Sequence, residues 1–181
     1  MHLVLSTYRS GSTWFCKELA KTHGVKNYDE LFRQELISEH DNSIDMLERN
    51  PEGVLKLFPC HIQDSTVKNL LERCIKISKT ITILVRKNFE DQLQSYYIAH
   101  FTGNYHESFN QKIKLNKFAY FKLTKFLNDE NIKLSKIYKS LPNSKLVFLE
   151  DLSDVGKYSN RVVEWDKLPE KTNIDTIRLF A

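Results

Sequence analysis

The sequence predicts an α/β protein of three layers, a mostly parallel central sheet with helices on both faces, formed as a single domain over residues 1–181. Three observations predict it. Short apolar runs alternate along the chain with stretches of helical periodicity, which is the pattern of repeated strand-helix units. The run Thr80-Ile81-Thr82-Ile83-Leu84-Val85 is β-branched and almost continuously apolar, as a strand buried on both faces of a parallel sheet must be. A chain of 181 residues fills one core with a ligand cleft but not two catalytic domains.

The elements follow in order. His2-Leu3-Val4-Leu5 opens a strand, Ser6 to Thr13 form a polar loop, and Phe15, Leu19 and a closing Gly24 mark a helix. Val54-Leu55-Lys56-Leu57-Phe58 is the next strand, stopped by Pro59, and Val67, Leu70, Leu71 and Cys74 then fall at helical spacing. After the central strand Thr80–Val85, Asn88 caps a helix with Asp91 at its third position. Phe89, Leu93, Tyr96, Tyr97 and Phe101 supply that helix's apolar face, and Gly103 ends it. Two further helices are expected, one through Leu115, Phe118, Ala119 and Phe126, the other through Leu134, Ile137, Tyr138 and Leu141. A last strand lies at Leu146-Val147-Phe148-Leu149, before a polar tail. Parallel sheets bind ligands at the carboxyl ends of their strands, so the loops after residues 5, 57 and 85 are the places to look.

Composition narrows the function. A hydrophobic share of 41%, a charged share of 28%, eleven Phe and eight Tyr describe a folded globular chain. A net charge of +4 does not call for a nucleic acid, but favours a small polyanion where basic residues converge. Cys16, Cys60 and Cys74 are odd in number and lack ligand spacing, so neither a disulfide framework nor a zinc site is expected, and a reducing cytoplasm is the natural location. The first strand begins beside Met1 and no run approaches a membrane span, so neither a signal peptide nor membrane insertion is expected.

The first loop, Tyr8-Arg9-Ser10-Gly11-Ser12-Thr13-Trp14, sets a glycine, three hydroxyls and a cation where a strand turns into a helix. Backbone N–H groups, the positive end of the helix dipole and Arg9 all suit an anion there; a polar cap with an exposed arginine is the plainer alternative. It is not a triphosphate loop of the GxxxxGK type, because no lysine precedes the Ser/Thr pair. A second motif follows the central strand, Val85-Arg86-Lys87-Asn88-Phe89-Glu90-Asp91-Gln92-Leu93-Gln94-Ser95-Tyr96-Tyr97. There Arg86 at the strand end and Ser95 in the helix are placed to meet one phosphate.

These two motifs, in this order and context, together with the late Leu146–Leu152 segment carrying Glu150-Asp151-Leu152, resemble the PAPS-dependent sulfotransferase family over roughly residues 2–152. The resemblance implies a P-loop NTPase-like fold and transfer of a sulfonate group from PAPS (3'-phosphoadenosine 5'-phosphosulfate) to a small-molecule or glycan acceptor, with PAP as product and no metal. It further implies that Arg9 replaces the usual loop lysine, that Ser10, Gly11, Ser12 and Thr13 wrap the 5'-phosphate, that Trp14 stacks on adenine, and that Arg86 and Ser95 hold the 3'-phosphate. Arg86 and Ser95 stand nine residues apart, one more than in the cytosolic small-molecule enzymes, with Lys87 as the extra residue. A bacterial or phage-type branch is implied, and Arg86 and Lys87 are both candidates for the phosphate. The Arg-Lys-Gly segment that closes over the donor in the cytosolic enzymes is missing, Arg161 and Lys167 being loose substitutes.

Sulfuryl transfer by in-line displacement needs cations around the moving group and a general base on the acceptor. By resemblance Arg9 and Lys56 are the cations, Lys56 matching the family's strand lysine against the plainer reading of a lysine at a sheet edge. The base is Glu30, in Glu30-Leu31-Phe32, or His61, which sits five residues past Lys56, further than the K-x-H pattern of the cytosolic enzymes; Glu30 is preferred. Asp91 reads as a helix cap, and loops at 33–50 and 102–113 are expected to form the acceptor side. Two rivals stand: a P-loop small-molecule or nucleotide kinase, and a non-catalytic nucleotide- or glycan-binding module of the same fold.

Overall fold

The computed structural model describes residues 1–103, 112–152, 164–165 and 171–181. A five-stranded sheet in the order β2-β3-β1-β4-β6 runs through it, every neighbouring pair parallel. Its strands are β1 (His2–Ser6), β2 (Asn27–Asp29), β3 (Val54–Leu57), β4 (Thr80–Val85) and β6 (Lys145–Phe148); β5 (Lys112–Ile113) and β7 (Glu164–Trp165) pair separately. The helices are α1 (Ser12–His23), α2 (His40–Arg49), α3 (Pro59–Asp64), α4 (Leu70–Lys76), α5 (Phe89–Thr102), α6 (Lys117–Lys139) and α7 (Thr176–Phe180). Among the described residues no helix is long and apolar enough to cross a membrane.

Alternation along the strands sorts the core onto two faces. Val4, Val54 and Leu84 point to one side, where Cys16 and Ala20 of α1 cover them. Leu3, Leu5, Leu55, Leu57, Ile83 and Val85 point to the other, against Ile44 and Leu47 of α2, Leu70 and Cys74 of α4, Leu134 of α6 and Phe180 of α7. A satellite cluster joins α5 to α6 through Phe89, Leu93, Tyr97, Tyr120, Leu123 and Leu127. The chain leaves β1 toward β3 and β2, and leaves β4 toward β6. The carboxyl ends of β1 and β4 therefore flank the topological switch point, the place where parallel sheets of this kind bind ligands.

Several expected elements differ. The two late helices are one, α6, because residues 127–133 contain no breaker and Leu127 and Leu134 continue the buried stripe; Glu130 and Asn131, polar but 1% exposed, only look like an interruption. Pro59 does not merely stop β3 but starts α3, its fixed φ suiting a first helical position. Residues 34–49, expected as loop, are a 3-10 segment (Gln34–Glu39) followed by α2, whose His40, Ile44 and Leu47 form a buried stripe. The last strand ends at Phe148, and Leu149–Asp151 is a 3-10 turn. Lys56 is internal to the sheet, since β3 lies between β2 and β1. Of the expected acceptor loop at 102–113, residues 104–111 lie outside the described residues, as do Arg161 and Lys167.

Candidate functional site

The loop between β1 and α1 turns sharply. Arg9 and Gly11 both lie in the left-handed region, at φ 59° and 78°; Gly11 is the helix N-cap, and no side chain caps α1. A Cβ on Gly11 would come within 2.6 Å of the Leu149 side chain, so the late 3-10 turn packs directly on this loop. The hydroxyls of Ser6 and Ser10, at the strand end and in the loop, are buried without a hydrogen-bond partner. Ser12 is buried, and Thr13 and Trp14 are half-buried in the first turn of α1.

Beneath this turn lies Lys56. Alternation turns it to the α1 face, beside Val4 in register, and it is fully buried. Its ammonium donates to Thr13 Oγ1 at 2.9 Å and contacts Asp29 Oδ1 and Glu30 Oε1 at 2.7 Å each. Burial pulls the Lys56 pKa down, but Glu30 and Asp29 outweigh it and the pKa stands above its ordinary value. Asp29 closes β2 in the left-handed region with φ 52°, a conformation that Asp tolerates better than most residues.

His61 completes this group. Its Nδ1 accepts the Phe58 N–H at 3.3 Å, and Nε2 lies 3.7 Å from Glu30 Oε2. Burial, and then the Lys56 charge, depress its pKa to about 4. A neutral ring whose Nδ1 is an acceptor carries its proton on Nε2, facing Glu30, so no lone pair is available there to take a proton. The Glu30–His61 approach is therefore not an ion pair at neutral pH. Of the two side chains, Glu30 is the one that the Lys56 ammonium contacts directly.

Across the switch point α5 presents Gln92, Ser95 and Tyr96, at i, i+3 and i+4, to the loop after β1. Arg9 Nε donates to Ser95 Oγ at 2.9 Å. Gln92 Nε2 donates to Tyr8 O at 2.7 Å and to Thr7 Oγ1 at 3.0 Å, Thr7 donates to Asn131 Oδ1 at 2.8 Å, and Asn131 Nδ2 donates to Gln92 Oε1 at 3.3 Å. This closed ring of buried polar groups ties the loop to α5 and α6, and sequence reasoning missed it. The available signal was a polar residue within an apolar stripe, Asn131 between Leu127 and Leu134. The Tyr8 ring packs against Phe58, Tyr96 and Phe126, with centroids 4.8, 5.3 and 5.8 Å away, and forms an aromatic wall beside Lys56 and His61.

Arg86 and Ser95 are engaged separately. Arg86 Nε has no hydrogen-bond partner and lies 3.6 Å from Glu150 Oε1, in the late 3-10 turn. The same carboxylate accepts the Lys87 N–H at 2.9 Å and the Asn88 N–H at 3.3 Å, while the Lys87 ammonium contacts Asp151. A cleft of about 460 Å³ opens next to them, between Lys87–Glu90 and Thr172–Asp175. Asn88 caps α5 by accepting the Asp91 N–H at 3.3 Å; Asp91, expected as a cap itself, contributes only this N–H, because the Asn88 N–H is taken by Glu150.

Among the described residues no group of three or more His, Cys, Asp or Glu gathers as metal ligands, and the two carboxylates nearest the loop are held by Lys56. Comparison of the chain with protein-family models, curated proteins and solved structures finds no match.

Proposed function

We propose that the chain is a sulfotransferase that moves a sulfonate group from PAPS to an acceptor hydroxyl or amine, on a P-loop-like sheet. One observation carries the reading: Lys56, fully buried, joins the hydroxyl of the anion-binding turn to the carboxylate best placed as base. The anion site and the proton acceptor are thereby built around one cation. Arg9, through its bond to Ser95, extends it across the switch point to α5.

In this reading the S–O bond to the donor's 5'-phosphate breaks as the acceptor oxygen or nitrogen bonds to sulfur. The acceptor's proton passes to Glu30. Negative charge grows on the departing phosphate oxygen, where the uncapped start of α1, Arg9 and Lys56 offset it. Lys56 also holds Glu30 in place through a 2.7 Å contact, and His61 lies beside it without entering the proton transfer. The unpartnered Ser10 hydroxyl and the turn's N–H groups suit a phosphate, and Arg86 suits the 3'-phosphate that distinguishes PAPS from ATP. The contacts of Lys56 favour sulfonate transfer over a kinase reaction, because an ammonium already uses the Thr13 hydroxyl and both carboxylates that would otherwise serve Mg²⁺.

Calorimetric titration with adenosine 3',5'-bisphosphate, against 5'-AMP and ATP, tests this. The bisphosphate is expected to bind best, and Arg86→Ala to weaken it about tenfold or more while leaving 5'-AMP unchanged. Equal binding of bisphosphate and 5'-AMP would return the chain to a generic nucleotide-binding class.

A further inference from the structure

Between Ile113 and Asn128 the chain carries four lysines, Lys114, Lys117, Lys122 and Lys125, and no acidic residue, although the whole chain nets only +4. All four are exposed. Phe118 and Phe121, on the same stretch of α6, are 68% and 66% exposed. Residues 118, 121, 122 and 125 share one helix face, while Tyr120, Leu123 and Leu127 on the opposite face make the buried contacts with α5. The core therefore does not need the two Phe rings. Phe118 lies under the Lys122 ammonium, 4.4 Å from its ring centroid, so aromatic and cationic groups are interleaved. The other strongly exposed apolar side chains away from α5 and α6 (Ile37, Met46, Ile177) lie on three different helical segments.

Charge and shape select the occupant. A second copy of the chain would set lysines against lysines. A nucleic acid is usually met by arginines, which stack and bind phosphate in pairs, and no arginine occurs between Arg86 and Arg161. Lysines on a convex helix flanking two projecting Phe rings match a flat anionic surface with an apolar layer beneath it: the long stems reach over the rings and the ammonium groups stay with the headgroups.

We propose that the segment Lys114–Lys125, which leads into α6 and forms its first turns, seats the protein peripherally on an anionic lipid bilayer. Phe118 and Phe121 enter the headgroup region, and the four lysines pair with lipid charge. Phe126 on the same helix packs 5.9 Å from Tyr96 and 5.8 Å from Tyr8, so the docked bilayer lies alongside the aromatic wall of the candidate site. This inference does not depend on the chemistry proposed above.

Flotation of the full chain with phosphatidylcholine vesicles, with and without phosphatidylserine, tests it. Binding is expected only with phosphatidylserine and is reversed by high salt. The double variant Phe118→Ser/Phe121→Ser and the double variant Lys122→Glu/Lys125→Glu are each expected to lower binding about tenfold or more. Met46→Ser, exposed elsewhere, leaves it unchanged. All these side chains are exposed, so circular dichroism and melting of the variants stay as in the parent. Absence of binding to phosphatidylserine vesicles overturns the proposal, as does binding that survives both double variants. Binding of an oligonucleotide without vesicle binding, or a dimer that the Phe variant dissociates without vesicle binding, assigns the face to another partner and also overturns it.

Discussion

Lys56, Glu30 and His61 show how burial assigns roles to side chains that look interchangeable in a sequence. His61 is neutral because its surroundings and the Lys56 charge disfavour a second proton, and its pKa falls from 6.5 to about 4. In that interval the unfolded chain binds more protons than the folded one. The His61 contribution is therefore complete above pH 6.5 and is lost as pH falls toward 4, on the order of 3 kcal/mol at the lower end. Lys56 behaves oppositely: its raised pKa gives stability that disappears only as pH climbs through the folded value. Urea unfolding between pH 7 and 4 is expected to show the acid loss in the parent chain and a shallower slope in His61→Gln, whose amide oxygen still accepts the Phe58 N–H. Parallel slopes would mean that His61 binds its proton equally in the folded and unfolded chains, and that burial does not hold it neutral.

At the scale of elements, the late 3-10 turn Leu149–Asp151 latches both motif loops. Leu149 packs over Gly11, and Glu150 caps the approach to α5 while facing Arg86. Its carboxylate occupies ground that a 3'-phosphate would share, and like charges so close repel. Glu150→Gln keeps an acceptor for the Lys87 and Asn88 N–H groups but removes the charge. It is expected to tighten adenosine 3',5'-bisphosphate binding about fivefold, with 5'-AMP unchanged. Weaker bisphosphate binding would instead make Glu150 the group that orients Arg86. The segment Glu150-Asp151-Leu152 stood out in the sequence, but its contacts did not, because they are made to residues more than 60 positions away. The two motif loops were legible for the opposite reason: each is a local strand-turn-helix event written in neighbouring residues. The Thr7-Gln92-Asn131 ring was not, since it joins three elements and only the fold brings them together.

At the scale of the molecule, four of the five strands of the main sheet were legible because buried parallel strands are apolar runs. β2 was not: it has three residues, partly exposed at the sheet edge, and carries little pattern. The strand order was also hidden in the sequence, yet it is what sets the loop after β1 beside the helix after β4. A ligand at that switch point would touch both halves of the sheet, since α1 follows β1 on one side and α5 and α6 follow β4 on the other. Stabilisation by such a ligand is transmitted to the whole core if the chain unfolds as one unit. Calorimetric melting is expected to give a single transition, raised by roughly 5–10 °C at adenosine 3',5'-bisphosphate about a hundredfold above its dissociation constant. Two transitions, with only one moved by the nucleotide, would divide the chain into separately folding parts and confine the site to one of them; that outcome is incompatible with Lys56 in β3, Arg9 after β1 and Ser95 in α5 serving one ligand.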